Sequence, residues 1–125
     1  MATPDWYPAT LAQQLAMTPQ TWAALQSHGF AEESLLILDF TFLAPKEAAA
    51  DELVAYLRLE TDSAVDADHG PLDADGGARW TVIGSTHPTA VSSEILTAWV
   101  EWMVAIGAWY GGCRFDGWGA RAATP

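Results

Sequence analysis

The chain has 125 residues, 50% of them apolar and 17% charged, which excludes a disordered or collagen-like polymer and fits one domain with one core. Sixteen acids against five bases leave a net charge of −11. That field repels phosphate backbones and anionic lipid, so nucleic acid and membrane surfaces are poor partners and a cationic, arginine-rich protein suits the sign better.

Thr18-Pro19 predicts an N-cap with proline in the first turn of a short helix that stops at Gly29, with Trp22 and Leu25 on one face. Residues 1–30 therefore read as a helical extension ahead of a domain spanning 31–125. Leu35 to Leu43 alternates, with Leu36, Leu38, Phe40 and Phe42 on one side and Ile37, Asp39 and Thr41 on the other. This is the pattern of a strand with one strongly apolar face. Ala44-Pro45 opens a helix that carries Glu47, Asp51 and Glu52 early, where the helix dipole favours anions, and Leu53, Val54 and Leu57 as its apolar stripe.

Asp62 to Gly77 holds five aspartates (62, 66, 68, 73 and 75), three glycines and a proline, and reads as an exposed loop or hairpin connection with at most a short strand over Ser63 to Asp68. Arg79 to Thr86 is a predicted strand, with Trp80, Val82 and Gly84 facing one way. Pro88 ends it, and Thr89 is the expected cap of a helix over Val91 to Tyr110. On that helix Ile95, Trp99, Trp102, Ile106 and Trp109 form one apolar row and Leu96, Val100 and Val104 a second. A helix apolar on two rows is expected to touch more than its own sheet. Gly111-Gly112 closes it, and Cys113 to Ala120 reads as the last strand.

The order strand–helix–strand–strand–helix–strand has one economical solution: two right-handed crossovers interleaved as a ferredoxin-like βαββαβ antiparallel sheet, α+β in class, with both helices on one face. The other face is then left open.

Few residues suggest chemistry. His28, His69 and His87 lie in different connections, without metal-ligand neighbours at helical spacing, and read as surface histidines; a general-base role at the end of a strand would fall to His87. A lone cysteine, Cys113, allows no internal disulfide, points to a reducing compartment, and reads as a small buried hydrophobe. For calcium, setting Gly76 at the loop's invariant glycine position places Pro71 and Val82 where oxygen ligands are needed, so neither metal nor cofactor is expected. Met1 to Trp6 has no basic stretch ahead of an apolar core, and Ile95 to Tyr110 is shorter than a bilayer span and carries Glu101. The expected location is the cytoplasm.

Asp116-Gly117-Trp118-Gly119 is a different kind of signal. Two glycines flanking a tryptophan weaken a strand and suggest a bulge or a close backbone approach, with the cluster either structural (Asp116 bracing the turn and Trp118 packing on the core) or in contact with a partner. The run Gly111-Gly-Cys-Arg-Phe-Asp-Gly-Trp-Gly119 resembles the C-terminal signature of the RraB family, regulators of ribonuclease E activity, and the resemblance extends more loosely over Leu35 to Ala120. It implies a ferredoxin-like α+β domain and a non-enzymatic protein that inhibits ribonuclease E by binding its regulatory region.

The leading expectation is thus an acidic protein-binding regulator. Asp66, Asp68, Asp73 and Asp75 would steer a basic partner, and Asp116, Gly117, Trp118 and Gly119 would contact it. The alternative is a dimer with a small-molecule pocket, catalytic or not, on the open sheet face, lined by Phe40, Phe42, Trp80 and Trp118 and with Asp39 or His87 pointing in.

Overall fold

The computed structural model describes residues 4–30, 34–61, 64–70 and 79–122 and, at 67–70 and 79, the backbone alone. Among the described residues, eight elements follow one another: α1 (Tyr7–Ser27), β1 (Leu35–Ala44), α2 (Glu47–Glu60), β2 (Ala64–Gly70), β3 (Arg79–Ser85), β4 (Thr89–Ala90), α3 (Ser93–Trp109) and β5 (Arg114–Ala122). The chain is α+β, and every strand pairing is antiparallel. β1 is central, with β3 on one side and β5 on the other, and β2 lies beyond β3. The two-residue β4 pairs with the start of β1 at Leu35 and Leu36.

The alternation of β1 decides where the core lies. Leu36, Leu38, Phe40 and Phe42 are buried, while Ile37, Asp39 and Thr41 are half-exposed on the opposite face. Phe40 and Phe42 share a core with Leu53, Val54 and Leu57 of α2 and Val100, Met103 and Val104 of α3, which sets both helices over the same face. Ring contacts lock this layer: Phe42 meets Phe115 edge-on at 5.2 Å between centroids, and Trp99 meets Phe115 at 6.1 Å. Gly107 of α3 admits the close approach, since a Cβ there would stand 2.7 Å from the Phe42 ring. Its carbonyl accepts the Cys113 N–H at 2.7 Å, which turns the chain into β5.

Three local expectations are corrected. Thr18 does not cap a helix: α1 begins eleven residues earlier, at Tyr7, and runs through Pro19. Tyr7, Leu11 and Leu15 pack against the core, and that burial outweighs the backbone hydrogen bond lost at the proline. The Thr18 hydroxyl instead donates back to the Gln14 carbonyl at 2.8 Å. Trp22 is buried with Leu36, Leu38, Val91 and Leu96 in a second cluster, so α3 meets α1 at Leu96 as well as the sheet. Thr89 does not cap α3 either; it lies in β4, and the Ser92 hydroxyl accepts the Ile95 N–H at 3.2 Å. Finally, the short strand allowed over Ser63 to Asp68 is present and runs further than expected. Ala64–Gly70 forms a full strand on β3, while Asp62, Asp73 and Asp75 lie outside the described residues.

Candidate functional site

β5 runs antiparallel to β1, yet its register shifts between Thr41 and Phe42: Phe42 faces Phe115 while Thr41 faces Gly117. Asp116 is therefore an extra, bulged residue. Without it, Phe115 and Trp118, three apart, would point to opposite sides of the sheet. With it, Trp118 is opposite Phe40, and its ring meets Trp99 of α3 edge-on at 5.8 Å. Gly117 carries the bend, with φ at +142°, a backbone conformation that a side chain resists. The bulge that the two glycines suggested is present.

A second consequence follows on the outer face. Gly117 and Gly119 pair with Thr41 and Asp39, so β5 presents two positions without side chains beside the polar side of β1. A groove of about 740 Å³ lies there. Asp39 and Thr41 line it from β1, Ile83 and Ser85 from β3, Asp66 from β2, Asp116 to Gly119 from β5, and Gln14, Met17 and Thr21 from α1.

Two of its carboxylates are engaged. Asp39 takes a hydrogen bond from the Ser85 hydroxyl and pairs with the Arg121 guanidinium at 3.0 Å. Asp66 pairs with Arg58 at 2.8 Å, and the same guanidinium donates to the Val65 carbonyl, which holds α2 to the edge strand. Asp116 is exposed, with no hydrogen bond or ion pair among the described residues. Its acceptor oxygens face solvent at the groove's edge, and a cationic or N–H-bearing group can take them.

Five residues singled out from sequence thus meet in one place: Asp66, Asp116, Gly117, Trp118 and Gly119. Asp68 belongs to β2, but its side chain, like Asp73 and Asp75, lies outside the description. The lining expected for a small-molecule pocket is corrected. Phe40 and Trp118 border the groove, but Phe42 is fully buried under the helices and Trp80 packs against the same core. Like Phe40, they occupy even-numbered positions on β1 and β3, on the helix side. The α1 residues were invisible to sequence reasoning, because only the docking of α1 against the rest of the fold brings them to the sheet.

Cys113 and His87, the thiol and imidazole of interest, lie apart. The Cys113 thiol is buried and donates to the Ala49 carbonyl near the start of α2, whereas His87 borders a cleft with Leu57 and Glu60 near that helix's end. Burial, with a smaller contribution from Glu52, pushes the thiol's pKa up to about 12. It is a packed side chain, as its burial demands. Among the described residues, no helix is long and apolar enough to cross a membrane.

A search of the curated proteins finds no match. The family model described as "Regulator of ribonuclease activity B" matches residues 15–120, from the middle of α1 through the bulge and both glycines of β5. The chain belongs to the RraB family, whose name describes regulators of ribonuclease activity.

Proposed function

We propose that the chain is a non-enzymatic regulator that acts in the cytoplasm by binding another protein, an endoribonuclease of the ribonuclease E type, and lowering its activity. The observation that carries this reading is the convergence of Asp66 and Asp116 to Gly119 on one open groove, inside the span matched by the family of ribonuclease regulators. Net charge of −11 supports a basic partner segment, steered by the acids of 62–75 and received at the groove. In this reading residues 31–125 are the regulatory domain, its strand order β5-β1-β3-β2 is of the ferredoxin-like kind, and residues 1–30 are an extension that completes the groove through Gln14, Met17 and Thr21.

The test is direct binding of the purified chain to a full-length ribonuclease of this type, its regulatory region included. We expect a saturable complex, slower RNA cleavage, and affinity that falls steeply with added salt. A complex indifferent both to salt and to Gly119→Leu, which fills the groove, would contradict the assignment.

A further inference from the structure

The helix layer, on the opposite side of the sheet from the groove floor, has an exposed feature of its own. Ile95, Trp102 and Trp109 of α3 are 48%, 38% and 51% exposed, although each is large and apolar. They are seven residues apart, so on an α-helix they stay within roughly 40° of one another and form a single stripe about 21 Å long. The stripe continues into a cleft of about 380 Å³ between α2 and α3, where Trp99, Met103 and Leu57 supply apolar wall and Glu60 a carboxylate. Tyr56 of α2 stands 6.5 Å from Trp102 and stacks on Tyr110 at 3.9 Å, giving the surface a rigid aromatic flank.

The charges around the stripe are predominantly acidic. α3 has two acids, Glu94 and Glu101, and no base, and α2 has four acids and one base, Arg58, which is already paired with Asp66. A second copy laid on this face would set carboxylate against carboxylate. A cationic helix would meet complementary charge on both sides of its apolar seam.

We propose that the Ile95–Trp102–Trp109 stripe and the adjoining α2–α3 cleft bind a basic amphipathic helical segment of a partner protein, about 15 residues long, with apolar side chains at heptad spacing and lysine or arginine along its flanks. This surface is distinct from the groove. It shares with the reading above only the premise that the chain works by binding protein.

The test uses the full chain and three synthetic 22-residue peptides: an arginine- and lysine-rich amphipathic helix with leucine at heptad positions, a scramble of equal composition, and a version with glutamate in place of the bases. We expect the first to bind at least tenfold more tightly than either control, and to bind at least tenfold more weakly to Trp102→Ala/Trp109→Ala than to the wild type or to a Gln20→Ala control. Amide exchange on the wild-type chain provides the second readout, should the double variant fail to fold; added protection is expected along the exposed face of α3. Equal binding of the scramble, unchanged binding by the double variant, or protection confined to β5 would overturn the proposal. So would a wild-type dimer that Trp102→Glu dissociates, since the stripe would then be occupied by a second copy. Failure of the wild-type chain to bind the basic helix while ribonuclease binding is intact defeats this inference alone, and the reverse result defeats only the groove.

Discussion

Gly117 and Gly119 are two residues apart on one strand, border the same groove, and should respond in opposite ways to the same methyl group. At Gly117 a Cβ would meet nothing within 4 Å, but φ of +142° is a conformation that L side chains avoid. Holding alanine there costs about 1–3 kcal/mol in strain. At Gly119 a Cβ also finds open space, and no positive φ stands in the way. Alanine there should leave stability unchanged or raise it by about 0.5 kcal/mol, because glycine gives up more backbone freedom on folding. For a 125-residue domain an unfolding entropy of about 2.1 cal/mol/K per residue converts 1 kcal/mol into about 4 °C. Gly117→Ala should therefore lower Tm by about 4–12 °C, and Gly119→Ala should leave it within about 2 °C. Thermal melts of the two variants, followed by circular dichroism at one protein concentration, make the comparison. Equal melting temperatures would show that the bulge at Asp116 does not depend on glycine, and the account of Trp118's orientation would fail with it.

Other consequences are equally concrete. Phe42→Ala, which empties a fully buried ring site against Phe115 and Gly107, should destabilise the fold by about 3–5 kcal/mol in urea titrations. Cys113, with its thiol held protonated up to about pH 12 against an unperturbed 9.0, should react with a thiol reagent at pH 8 only after denaturation. The sign of its linkage is also fixed: a group whose folded pKa is raised contributes stability below the unfolded pKa, so stability should fall between about pH 9 and 12. Cys113→Ala should lack that particular decline when urea midpoints are compared across the range. Asp39→Asn removes the ion pair with Arg121 on a half-exposed surface and should cost less than about 1 kcal/mol, while altering salt dependence at the groove.

Much of this architecture is written in local pattern. The alternation of Leu36, Leu38, Phe40 and Phe42 assigns β1's faces without ambiguity, and the two apolar rows of α3 anticipate a neighbour beyond the sheet, which is α1 with Trp22. Gly117 announces the bulge because a side chain resists its backbone conformation. Where local signals misled, tertiary packing had reversed them. Thr18-Pro19 has the chemistry of a helix start, but Tyr7, Leu11 and Leu15 bury enough surface to carry the helix through it. The aspartates at 66 and 68 disfavour a strand, yet Ala64–Gly70 pairs with β3 along its whole length and Arg58 secures its first half. The groove was half legible: its glycines and Asp116 are in the motif, but Met17 and Thr21 come to it only through the packing of α1.

We propose that the chain regulates by occupying a partner. RNA cleavage by a full-length ribonuclease E-type enzyme, measured while the purified chain is titrated in, tests it most directly. The rate should fall to a plateau at stoichiometric complex for the wild type, and the curve should be displaced to higher concentration for Asp116→Lys. An unchanged cleavage rate in the presence of a saturating excess would contradict the proposal.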